Sequence, residues 1–141
     1  MNLRDLIIPA TGFQTAINLA FDLNDETKIR TFIPTAASVE IIGDVLLSTH
    51  LKSTQRARTL IGAYGRGKSH IILMLLALLR IKNTNKMFDV MLAKMREHDP
   101  RLAQFTSDYL ESKRKLLPII VRGSNAILSQ AFLSAYSMEF S

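Results

Sequence analysis

Between Gly62 and Ser69 the chain reads GAYGRGKS. Three glycines within this stretch precede a segment, 68–81, that contains no proline or glycine and is rich in Leu, Ile, Met and Ala. Few junctions constrain a fold as strongly. The glycines let the backbone turn so that consecutive N–H groups point inward and form an anion-binding concavity. A helix that starts directly after the turn adds the partial positive charge of its N-terminus. Gly62, four residues, then Gly67-Lys68-Ser69 fits the pattern G-x-x-x-x-G-K-[ST]. Residue frequencies give that pattern by chance in roughly 0.5% of chains this long, so a phosphate-binding loop is expected in preference to an incidental glycine-rich turn. Lys68 is then placed to reach the β- and γ-phosphates, and the Ser69 hydroxyl to enter the shell of a Mg²⁺ ion.

The rest of the chain is read around that loop. Ile17, Leu19, Phe21 and Leu23 alternate with Asn18, Ala20 and Asp22, a period of two that predicts a half-buried strand over 16–23. NDETK, 24–28, is a polar turn. FIPT, 32–35, is an extended approach, because the residue before a proline avoids the helical region. A helix is expected from about Ala36 to Ser48, with Thr35 as N-cap and Val39, Ile42 and Leu46 on one face. Gly43 inside it is a small cost. Arg58 to Ala63 reads as a short strand. Lys68 to Ile81 reads as a helix buried on most faces, ending near NTN at 83–85. Two amphipathic helices follow at 86–97 and 100–114, with Asp99-Pro100 between them as N-cap and N1. LLPIIVRG, 116–123, reads as a buried strand, and 125–138 as a final helix. Strands alternating with helices predict an α/β fold with a mainly parallel sheet.

GAYGRGKS resembles the Walker A loop of P-loop NTPases. Carried over by position, Gly62, Gly65 and Gly67 match the motif glycines, Lys68 the phosphate lysine and Ser69 the Mg²⁺-ligating hydroxyl. Arg66 and His70, like Ala63 and Tyr64, stand at variable positions and take main-chain roles beside the phosphates. A helix ahead of the loop strand looks more like the AAA+, origin-binding and STAND-type ATPases than the small kinases. In those families the approach segment and its helix help enclose the adenine. By that analogy FIPTAASVEII forms the base-side wall, with Ile33 and Pro34 as candidate contacts; a core helix with an extended lead-in is the competing reading. FIPT, LIGAYGRGKSHIILMLLALL and LLPIIVRGSN together are similar to the N-terminal part of large bacterial ATP-binding proteins of phage-defence gene clusters, including the bacteriophage-exclusion type. Those proteins are far longer. The resemblance implies a partial three-layer P-loop sandwich, preceded by a short strand and a helix, that binds ATP and Mg²⁺.

Hydrolysis needs an acidic residue at the end of an apolar strand to hold Mg²⁺ through water, and usually a glutamate to polarise the attacking water. The stretch Leu116–Val121 ends in Arg122-Gly123-Ser124, with no acid. Asp89 and Asp108 fall on predicted helices as solvated positions, and Glu40 and Asp44 precede the loop. The expected organisation is therefore 1–55 as a strand and helix leading into the nucleotide site, and 56–141 as a nucleotide-binding core that ends before the acid-bearing strand. An unfinished sheet would favour self-association.

Composition sets the remaining bounds. The net charge is +6 and the pI about 9.9, which suits a polyanionic partner. A nucleic-acid interface through HLKSTQRAR and ESKRK is one alternative, although the chain has no Trp and ESKRK ends a predicted helix where cations offset the dipole. A non-hydrolysing nucleotide-binding or scaffold module is another. With no cysteine, disulfides are excluded. His50, His70 and His98 form no metal-ligand spacing. The longest apolar run, Ile71–Leu79, is about half of what spans a bilayer. Together with the lack of a secretory h-region this leads us to expect a cytoplasmic chain without a membrane partner. No Asn-Lys-x-Asp motif occurs, which favours ATP over GTP.

Overall fold

A computed structural model describes residues 16–63, 65, 67–80, 86–112, 115–121, 123 and 127–138. The described elements are α1 (Leu19–Asp22), α2 (Glu26–Arg30), α3 (Ala36–Ser48), α4 (Lys68–Arg80), α5 (Asp89–His98), α6 (Pro100–Glu111) and α7 (Leu128–Met138). None of the described residues forms a strand. The expected α/β sandwich with a parallel sheet is thus corrected to a helical architecture, and the reason is visible segment by segment.

At 16–23 a helical turn wins over the alternating pattern. The Asn18 carbonyl accepts from the N–H groups of Phe21 and Asp22, while the Asp22 carboxylate accepts from the Asn18 N–H at 2.7 Å. Phe21, which the alternation placed on the buried side, is exposed; Leu23 is buried. The segment 58–63 carries no regular secondary structure, finds no ladder partner among the described residues, and Ile61 is 87% exposed. At 116–121 a backbone bond from Leu116 N–H to the Leu79 carbonyl, 2.9 Å, docks the stretch on the end of α4. Pro118 further removes a donor from it. A strand is stable only when its backbone groups are paired in a ladder, so three isolated β-prone stretches do not make a sheet.

The helices follow their local signals closely. Thr35 caps α3: its hydroxyl accepts from Ser38 N–H at 3.3 Å, and the Ser38 hydroxyl accepts from Thr35 N–H at 2.7 Å. This reciprocal box, with Ser in place of the usual Glu, satisfies orphan donors and stabilises the helix by about 1 kcal/mol. Val39, Ile42 and Leu46 are all buried, as their spacing predicts. Asp99 caps α6 through the N–H groups of Arg101 and Leu102, with Pro100 in the first turn. In α4, Leu73, Met74, Leu75, Ala77 and Leu78 are buried, and no residue from Ile71 to Arg80 is exposed.

The core forms where α3 meets α4, α5 and α6. Ile42, Leu46, Met74, Leu78, Phe88, Met91 and Met95 fill it. Gly43 has a packing reason: a side chain there would overlap Leu102 of α6. On the other flank α1 and α2 lie against α4. None of the described residues of α7 is buried, except for the partial cover of Ala131 and Ala135. No helix among the described residues is long and apolar enough to cross a membrane.

Candidate phosphate-binding loop

The glycine loop joins the segment 58–63 to α4. Gly65 and Gly67 both adopt φ of +75°, the left-handed region in which side chains are strained. Nothing lies within 4 Å of where their Cβ atoms would stand, so backbone conformation and not crowding is what requires glycine there. The Gly67 carbonyl then accepts from the N–H groups of His70 and Ile71 at 3.0 and 3.1 Å, which starts α4 at Lys68. The first N–H groups of a helix have no partner inside it and point out of its end, here toward the loop.

Lys68 folds back over that end. Its Nζ donates to the carbonyls of Gly62 and Ala63 at 2.7 and 2.6 Å. Gly62 is the point of contact, for a Cβ added to it would sit 3.5 Å from Cδ of Lys68. Ser69, second in the helix, is exposed. Arg66 and Tyr64 lie outside the described residues.

His70 plays a part that the sequence does not announce. Its Nε2 lies 2.8 Å from the Lys28 carbonyl. A carbonyl only accepts, so Nε2 carries the proton and donates. The ring also stands edge-on to Phe32, with centroids 5.0 Å apart. Phe32 is buried in the core and directly precedes Ile33 and Pro34. The approach segment is therefore in contact with the start of α4. Ile33 is 54% exposed, whereas Pro34 is buried. Lys28 is itself held by an ion pair from Nζ to Asp22 Oδ2 at 2.7 Å. The hydrogen bond from Lys28, then that from Asn18 N–H, hold the Asp22 carboxyl below its ordinary 3.8.

A second tether reaches the loop from the other direction. Arg58, four residues before Gly62, grips Asp44 of α3 with two nitrogens, Nε to Oδ2 and Nη2 to Oδ1 at 3.1 Å. That hydrogen bonding lowers the Asp44 pKa and raises that of Arg58. Asp44 thus serves as an anchor for the loop approach. Asp89 and Asp108 are exposed on their helices, as expected, and Asp108 accepts from the Gln104 amide at 2.8 Å. No signal in the sequence pairs Phe32 with His70 or Asp44 with Arg58; each pair joins segments distant in the chain.

The donors fit an anionic ligand. Two glycines at positive φ, a helix start and one ammonium group, the last held by the Gly62 and Ala63 carbonyls, belong to the loop and the first residue after it. For a cation the fit is partial: among the described residues no three His, Asp or Glu side chains stand together to hold a metal. Mg²⁺ does not demand such a cage, because it takes phosphate oxygens and waters beside one or two protein oxygens. Ser69, whose hydroxyl could contribute one such oxygen, is exposed at the helix start.

No protein-family model, curated protein or solved structure matches the chain.

Proposed function

We propose that the loop Gly62–Ser69 binds the phosphates of a nucleotide, ATP with Mg²⁺, and that the chain is the nucleotide-holding portion of a larger ATPase. The observation that carries this reading is the coincidence of motif and conformation. The motif glycines Gly65 and Gly67 both stand at φ of +75°, directly before a helix whose first residue is the motif lysine. On this reading the Lys68 ammonium leaves the carbonyls of Gly62 and Ala63 to meet the phosphates. Loop and helix N–H groups cradle the same oxygens. Ser69 supplies the protein oxygen of the Mg²⁺ shell. Bound Mg²⁺ neutralises phosphate charge. The exposed Ile33 gives the nucleoside an apolar surface to rest on.

The test is isothermal titration of the purified chain with ATP, ADP and GTP plus Mg²⁺, beside Lys68→Ala. Micromolar binding of ATP or ADP that Lys68→Ala abolishes is the expected result. A folded protein that takes up none of the three nucleotides sinks the reading.

A further inference from the structure

We propose that His70 is a positioning residue that fixes the approach segment 32–35 to the phosphate loop, so that the nucleoside side and the phosphate side of the site hold one geometry. The inference rests on the nucleotide-binding reading above and assigns to it a residue that the motif leaves variable.

His70 stands one position beyond Ser69, and its ring makes one contact to α2 and one to the first residue of the approach. Nε2 donates to the Lys28 carbonyl at 2.8 Å, and the ring packs T-shaped against Phe32 with centroids 5.0 Å apart. The two partners bracket residues 29–31, so the imidazole grips the end of α2 and the start of the approach at once. The grip has backing on both sides. Phe32 is sunk in the core, and Lys28 is held by Asp22. On the loop side, His70 N–H is bonded to the Gly67 carbonyl at 3.0 Å, so the ring moves with the glycine turn. A displaced imidazole therefore changes the distance between Ile33 and the loop, while the glycines, Lys68 and Ser69 keep their local turn. Misplacing one half of a divided site costs affinity only for a ligand that spans both halves.

That difference gives the test. Titrate wild type, His70→Ala and His70→Gln with Mg-ATP and with Mg-tripolyphosphate, which has the phosphate chain but no nucleoside. The expected result is that His70→Ala weakens ATP about tenfold or more while tripolyphosphate stays within about twofold. His70→Gln, whose amide still donates to the Lys28 carbonyl, should recover much of the loss. Phe32→Leu removes the ring contact and keeps an apolar side chain. It should show the same loss for ATP alone, and it carries the test if His70→Ala does not fold. Equal weakening of both ligands, or of neither, overturns the proposal and leaves the nucleotide reading standing. A wild type that binds neither ligand removes the nucleotide reading and this inference with it.

Discussion

Arg58 grips both carboxylate oxygens of Asp44, tying the stretch that enters the glycine loop to the middle of α3. The pair is partly exposed, and such pairs add little to global stability. Its effect is local, because residues 54–59 are otherwise exposed. Asp44→Asn should leave the thermal midpoint nearly unchanged while speeding amide hydrogen exchange over 55–63. Unchanged exchange there would show that the pair is not what holds the segment.

A second acid-sensitive contact lies on the other flank. Lys28, then Asn18 N–H, hold the Asp22 carboxyl below its ordinary 3.8. A depressed carboxyl contributes stability that is fully present above the unfolded value and is lost as pH falls through the folded one. Wild type and Asp22→Asn should therefore differ in unfolding midpoint at pH 7 and converge as pH falls below about 4. A gap that stays constant down to pH 2.5 contradicts this assignment.

Phe32 connects the core to the loop. Cutting it to Ala removes a buried ring that touches His70, and should cost about 3–5 kcal/mol in urea unfolding. A loss below about 1 kcal/mol would mean that the surroundings collapse into the space.

Gly67 tests the backbone directly. Ala at φ of +75° has room for its methyl group but not the conformation, so Gly67→Ala should cost about 1–2 kcal/mol. It should also weaken ATP binding more than any stability loss accounts for. Retained affinity would show that the loop does not need this turn.

The Asp99 cap is independent of the loop. Asp99→Ala should destabilise by about 1 kcal/mol, and Asp99→Ser by only a few tenths, read from denaturant midpoints.

Helices were legible from the sequence where their signals are local. Thr35, Asp99 and Pro100 mark two starts correctly, and the spacing of Val39, Ile42 and Leu46 gives the right face. The strands were not, because a strand is defined by a partner elsewhere in the chain. Ile17, Leu19, Phe21 and Leu23 satisfy a period of two, yet the window is too short to exclude a helical turn once Asp22 bonds back to Asn18. Of the candidate loop, the glycine turn and the start of a helix at Lys68 were legible, since both rest on local signals. The links through His70 and Arg58 were not. Each is a contact across many residues that no local pattern encodes.

Asp99 ends α5 and begins α6, so a single residue turns the chain between the two helices that pack most extensively against each other. Residues 89–111 thus gain their mutual contacts at short separation along the chain, where loop closure costs least entropy. This hairpin is therefore expected to form early in folding. Shaving Met95, fully buried within it, should slow refolding nearly in proportion to the stability lost, whereas shaving Phe32 should mainly hasten unfolding. The half of the molecule farther along the chain from the glycine loop would then be the half that organises first.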